Sequence, residues 1–222
     1  MTPDRRKIAV VAGSTGLIGR EVLRILLENS SYEKVYSLVR KPGNYSNPKL
    51  EELVIDYEQL PYALAEIKSA DEVYCCLGTT MKVAGSKEAF RKVDYEYPLA
   101  LASWAHQLKV HHFLLVSAMG ASTTSGIFYN KTKGEVERDI SLLEIPAISI
   151  FRPSLLIGDR TENRPGEKIG IAVAKALSFL FVGPLKDYKG IPFIKVAEAM
   201  VRVANTQSTG KRVVLSGEMG EK

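Results

Sequence analysis

The stretch Lys7-Ile8-Ala9-Val10-Val11-Ala12-Gly13-Ser14-Thr15-Gly16-Leu17-Ile18-Gly19 constrains this chain more than any other. An apolar run of strand length meets three glycines at regular spacing, and a segment with Val22, Leu23, Leu26 and Leu27 at helical period follows at once. Glycine lets a backbone turn tightly and approach its neighbours closely. The helix that opens there turns free N–H groups and the positive end of its dipole outward. Strand, glycine turn and helix in that order are the context in which such a motif reads as a dinucleotide phosphate site. Gly13, Ser14, Thr15, Gly16, Leu17, Ile18 and Gly19 are the first candidate cofactor residues.

The rest of the chain repeats this alternation. Ile8–Ala12, Val35–Val39, Leu53–Asp56, Val73–Leu77, Phe113–Ser117 and Ala147–Phe151 read as strands, and their near-continuous apolar character predicts burial on both faces. Helical periods fall between them, over Leu17–Glu28, Ser86–Leu108 and Tyr129–Leu143. This pattern predicts a doubly wound α/β fold with a parallel sheet, of the Rossmann type. The whole chain, 1–222, reads as one domain with no linker or repeat. After Phe151 the alternation fades into polar Asp159–Lys168 and two more helical segments, Ile169–Phe181 and Val196–Asn205. Residues 156–222 are therefore expected to supply a small helical region on the substrate side.

Charge narrows the partners. Thirty Lys and Arg face 25 Asp and Glu, a net charge of +5, but no run of five or six like charges appears, which leaves no case for nucleic acid. A phosphorylated small molecule fits the balance. The longest apolar stretch, Ile169–Gly183, is interrupted by Lys175 and is shorter than a membrane span requires. The opening residues run straight into the first strand without a secretory signal pattern, so a cytoplasmic location is expected. Cys75 and Cys76 are adjacent in a strand, point to opposite faces and read as small core residues rather than a disulfide or a metal site. His106, His111 and His112 lack the company a metal centre needs, and no metal is expected.

The end of the second strand selects the dinucleotide. NAD binders place a carboxylate there for the ribose 2′-hydroxyl, whereas this chain has Val39-Arg40-Lys41. Arg40 offers a planar fork suited to a 2′-phosphate, with Lys41 beside it, so NADP(H) is the expected cofactor. On topology, Asp56 and Tyr57 after the third strand fall near the adenine, and Leu77, Gly78, Thr79 and Thr80 after the fourth fall near the riboses.

Tyr129 and Lys133 stand four apart in an expected helix and share a face. A lysine ammonium beside a phenol favours proton exchange with a carbonyl or alcohol during hydride transfer, and it can also hold a ribose hydroxyl. Tyr45 and Lys49 have the same spacing, but Pro48 breaks any helix there. The third catalytic candidate is Ser117 at the end of the fifth strand, as a substrate hydrogen bonder. Ala118 follows it where many similar proteins carry a second serine. Ser122, Thr123 and Thr124 are nearby hydroxyls.

The G-x-x-G-x-x-G spacing resembles that of extended and atypical short-chain dehydrogenase/reductases. Taken with Arg40, Cys75-Cys76-Leu77-Gly78-Thr79-Thr80, Lys133-Gly134-Glu135-Val136-Glu137, Phe151-Arg152-Pro153 and Arg164-Pro165-Gly166-Glu167, the sequence resembles the Tat-interactive-protein-like oxidoreductases over about residues 8–167. The resemblance implies a Rossmann fold binding NADPH, with Arg40 at the 2′-phosphate and Arg152, Pro153, Ser154 and Leu155 lining the cofactor near the nicotinamide. It also implies protein partners beside a small-molecule substrate, and a homodimer is compatible with it. Three functions are expected in this order: an oxidoreductase reducing a small carbonyl compound, a cofactor-sensing regulatory protein without turnover, and a nucleotide-sugar epimerase or dehydratase.

Overall fold

A computed structural model describes residues 5–43, 46–157, 190–206 and 209–221. Seven strands form one sheet: β1 (Lys7–Ala12), β2 (Tyr32–Val39), β3 (Leu50–Val54), β4 (Glu72–Cys75), β5 (His112–Val116), β6 (Ala147–Arg152) and β9 (Gly210–Leu215). Their spatial order is β3-β2-β1-β4-β5-β6-β9, and every pairing is parallel. The chain winds outward from β1 in both directions, so the crevice between the carboxyl ends of β1 and β4 is the switch point where such sheets bind ligands.

Alternating side chains of each central strand fill two separate cores. Val10, Ala12, Val73, Cys75, Phe113, Leu115, Ile148 and Ile150 join one. Helices α5 (Tyr97–Gln107) and α6 (Phe128–Ile140) contribute Leu101, Ala102, Trp104, Val136 and Ile140 to it. Ala9, Val11, Tyr74, Leu114 and Phe151 line the opposite core with α1 (Leu17–Glu28) and α7 (Phe193–Ala204), which pack side by side. Burial on both faces is what the continuous apolar runs predicted.

The long segment expected over Ser86–Leu108 is divided. Ser86 caps α4 (Lys87–Arg91), a π-helical turn covers Lys92–Glu96, and α5 carries on from Tyr97. Short helices α2 (Leu60–Ala63), α3 (Met81–Ala84) and α8 (Ser216–Met219), with a 3₁₀ turn over Tyr57–Gln59, complete the described helices. Two short strands, β7 (Leu156–Ile157) and β8 (Ile191–Pro192), pair with each other beyond the end of β6. Of the C-terminal region, α7 and β9 therefore belong to the layers of the main sheet. The expected segments Asp159–Lys168 and Ile169–Phe181, and Tyr45, lie outside the described residues.

Candidate functional site

The glycine turn is held by backbone against backbone. Gly13 has φ +83°, and a Cβ there would sit 2.6 Å from the carbonyl oxygen of Cys76 at the end of β4. A Cβ on Gly19 would lie 2.2 Å from the Gly13 carbonyl oxygen. Both positions therefore require glycine before any ligand is considered. Gly16, the N-cap of α1, has an ordinary extended backbone, and no side chain caps the helix there. Neither do acidic residues stand in its first turn. The opening N–H groups of α1, with Leu17 and Ile18, are thus left for an anion, and the turn fits a dinucleotide pyrophosphate. The hydroxyl of Ser14 is buried and accepts from Ser37 on β2 at 2.7 Å, so Ser14 offers its backbone rather than its side chain. Thr15 is exposed at the turn.

Arg40 and Lys41 emerge exposed just past β2. Tyr57 lies buried beside them, donates to the carbonyl oxygen of Leu38 at 3.2 Å and stacks on Tyr97. Burial pushes its phenol up, while the Arg40 guanidinium and the Gly13 backbone pull it back in part. Arg40, Tyr57 and Gly13 thus share one neighbourhood, as a 2′-phosphate and adenine end would need. Asp56 is exposed and one of its oxygens accepts from the amide of Glu58.

Leu77, Gly78, Thr79 and Thr80 leave β4 beside the glycine turn. Thr80 caps α3 through Val83, and the amide of Thr79 donates to Asp94 Oδ2 at 2.8 Å. Asp94 comes from the π turn. Its Oδ1 lies 2.7 Å from Lys133 Nζ, an ion pair rather than an aligned hydrogen bond, with side chains 1% and 5% exposed respectively. Tyr129, half-buried in the first turn of α6, rests on the Phe90 ring and lies within electrostatic reach of Lys133. Gly134 lets α6 settle on the chain before it, since a Cβ would lie 2.3 Å from the Ser122 carbonyl carbon.

Ser117 faces elsewhere. Its hydroxyl donates to Glu137 Oε1, and the Arg152 guanidinium grips both oxygens of the same carboxylate. Glu137 is 6% exposed and Arg152 29%. The hydroxyl expected to meet substrate and the arginine expected near the nicotinamide are both tied to a carboxylate two turns along α6 from Tyr129. Pro153 is buried, the amide of Ser154 donates to Ser216 Oγ at 2.7 Å, and Leu155 is exposed. A cavity of about 380 Å³ opens on the far flank of α6 between Glu137, Arg152 and Val213, and no residue of the glycine turn lines it.

Asp94, which sequence reasoning passed over, and Glu137, which entered it only as part of a motif and without a role, are the two charged residues that the structure adds to the site. Each is a carboxylate placed where a helix turns inward, and each finds a partner on a distant element. Among the described residues no group of three His, Cys, Asp or Glu could hold a metal. Burial drives the Cys75 thiol up to about 12, consistent with a core residue.

Residues 13–140 match the family described as NAD(P)H-binding. The chain belongs to this family. Rat protein HTATIP2 is 30% identical over 221 residues, covering 96% of this chain and 88% of its own length. Protein FMP52, mitochondrial, of Eremothecium gossypii is 34% identical over 216 residues, 95% of each chain. The resemblance to the Tat-interactive-protein-like proteins therefore holds over nearly the whole length of this NAD(P)H-binding family member. Its fold is that of UDP-glucose 4-epimerase from Thermotoga maritima (TM-score 0.69, 15% identity, 95% of this chain and 77% of that one). It is equally that of WbmH from Bordetella bronchiseptica in complex with NAD+ (TM-score 0.69, 15% identity, 95% and 76%). The NAD(P)-binding Rossmann architecture is thus established together with its family. No helix among the described residues is long and apolar enough to cross a membrane.

Proposed function

We propose that this protein is an NADP(H)-dependent oxidoreductase that reduces a small carbonyl compound. The observation that carries the reading is the Lys133 ammonium, buried against Asp94 one helical turn from Tyr129 at the carboxyl ends of β4 and β5. Bound NADPH would supply the hydride. Gly13, Gly16 and the start of α1 bind the pyrophosphate, Arg40 with Lys41 takes the 2′-phosphate, and Asp56 and Tyr57 flank the adenine. Leu77, Gly78, Thr79 and Thr80 would pass the riboses, and the chain of Arg152–Leu155 would close the nicotinamide end while the Arg152 guanidinium itself stays on Glu137. Tyr129 gives a proton to the carbonyl oxygen as the hydride arrives, and Lys133 steadies both the phenol and a ribose hydroxyl. Exposed Met81, Val83, Ile127 and Leu155 follow three adjacent strands, a rim that suits a carbonyl compound with an apolar body. The chain reads as a single domain, with β7 and β8 beyond the end of β6 as the described part of its substrate side.

The runner-up, a cofactor sensor without turnover, is favoured by one specific observation: the Ser117 hydroxyl is taken by Glu137 and the next residue is Ala118. A protein partner, and self-association as a homodimer, belong to that reading. A cytoplasmic location is our proposal, set against the mitochondrial designation in the names of the FMP52 relatives.

Purified protein is to be incubated with NADPH and a panel of aldehydes and ketones, and cofactor absorbance followed. Oxidation with any of them supports the reductase. Tight NADPH binding with no oxidation across the panel hands the reading to the sensor.

A further inference from the structure

We propose that Asp94 is the positioning residue of this site, joining the Thr79 loop to Lys133 through one carboxylate. The inference rests on the reading of Lys133 as a cofactor contact. Oδ2 takes the Thr79 amide at 2.8 Å and Oδ1 faces Lys133 Nζ at 2.7 Å. Gly78 passes over the pair so closely that a Cβ there would lie 3.4 Å from Oδ1 and 3.8 Å from Nζ. The loop from β4 and the helix that carries Tyr129 are thereby tied to each other through Asp94.

The backbone around Asp94 is built to aim it. The π turn over Lys92–Glu96 interrupts an otherwise continuous α-helical run, and such turns are rare and recur at functional positions. This one is clamped to α6 on both sides: Arg91 donates to Glu135 at 2.5 Å, and Tyr95 donates to Asp139 at 2.8 Å. These clamps hold the backbone that carries the carboxylate against the helix that carries Lys133. A buried ion pair is a poor device for stability alone, because apolar groups of the same shape serve as well. Its retention inside this core calls for a role that charge performs and packing does not.

That role is to keep Lys133 charged and aimed. Burial drives the ammonium toward the neutral form, and the Asp94 carboxylate facing it reverses that, with the neutral Tyr129 phenol and Cys75 thiol beside the pair, so that it stands above the usual lysine range. An ammonium has three N–H donors. With one side of it committed to Asp94, the remaining donors are left, on this proposal, for the phenol and a ribose hydroxyl.

The experiment measures NADPH affinity, by cofactor fluorescence, for the wild type, Asp94→Asn, Lys133→Gln and the double variant from about pH 7 to about pH 9.5. Relative to the wild type at each pH, Asp94→Asn should weaken by about tenfold across this range, because buried Lys133 sheds its proton once its counter-charge is gone. Lys133→Gln should be weaker at every pH, and adding Asp94→Asn to it should change affinity by less than about twofold, the signature of two residues acting as one. Asp94→Asn tracking the wild type at every pH while Lys133→Gln is weak overturns the role of Asp94 alone. Lys133→Gln binding like the wild type overturns the cofactor role of Lys133 and this inference together. Should Asp94→Asn not fold, Asp94→Glu takes its place in the same cycle: a loss of affinity that disappears in the Lys133→Gln background supports the proposal, and wild-type affinity or a loss that persists there overturns it.

Discussion

Ser117 donates its hydroxyl to Glu137, a carboxylate four residues beyond Lys133 on the same helix. The bond turns the serine away from the crevice and into a buried ionic cluster with Arg152. Ser117→Ala should therefore cost about 1 kcal/mol of stability, the usual worth of one such bond, and leave NADPH affinity unchanged. Glu137→Gln should cost more, about 1 to 3 kcal/mol, because it leaves Arg152 without its counter-charge in a partly buried site. Denaturant unfolding of both variants checks the order. Loss of turnover in Ser117→Ala at unchanged stability would return the hydroxyl to the substrate.

On the proposed reading, Arg40 is the residue that chooses between cofactors. A charge-assisted hydrogen bond to the 2′-phosphate is worth about 1.5 to 3 kcal/mol, or about 10- to 150-fold in affinity. NADPH should bind tighter than NADH by that margin, and Arg40→Ala should remove most of the difference. Calorimetry on both cofactors measures it. Equal affinities in the unaltered protein would take Arg40 out of the site.

For turnover the telling residue is Tyr129. Tyr129→Phe should lower the rate about 10²- to 10⁴-fold, the contribution of one positioned acid, with cofactor affinity nearly unchanged. Lys133→Ala should impair both. Tyr45→Phe is the control, having the same spacing to a lysine in a stretch that Pro48 keeps out of a helix. Turnover that survives Tyr129→Phe and collapses on Tyr45→Phe would displace the site.

Stability should fall in mild acid through His112. Its ring pairs with Ser149 at 2.8 Å, and burial, with help from His111 and Lys7, holds it down at about 4 against an ordinary 6.5. Above pH 6.5 the ring is neutral in both states and its contribution is complete. As pH falls from about 6.5 to about 4 the unfolded chain takes up a proton that the folded chain refuses, so stability is lost over that window. At about 1.36 kcal/mol per pH unit the loss is capped near about 3 kcal/mol. Unfolding midpoints across this window should slope less in His112→Gln than in the unaltered protein.

Much of this architecture was legible in the residues. Helix α1 runs over Leu17–Glu28 as its apolar period and its glycine turn predicted, because one stripe of side chains and one tight turn settle both its face and its start. Strand β9 was missed for a physical reason: at the edge of the sheet Lys211, Arg212 and Val213 stay exposed, so the run lacks the continuous apolar character of the central strands. The break in the long helix was also missed, since a π turn of five residues, Lys92–Glu96, shifts the apolar period too briefly to stand out from the helix on either side. The roles of Asp94 and Glu137 escaped for a different reason. Both are ordinary charged helix residues until folding brings Lys133 or Arg152 against them, and that meeting depends on how α6 lies across the sheet.

The contact between Gly13 and Gly19 has a kinetic side. Both residues pack against main-chain atoms of the protein itself, so the turn is expected to take its shape during folding rather than when a dinucleotide arrives. A socket finished in advance asks nothing of the incoming molecule but orientation. Association should then rise linearly with cofactor concentration, with no slow step at saturation, and differences among related dinucleotides should be written in how long each stays.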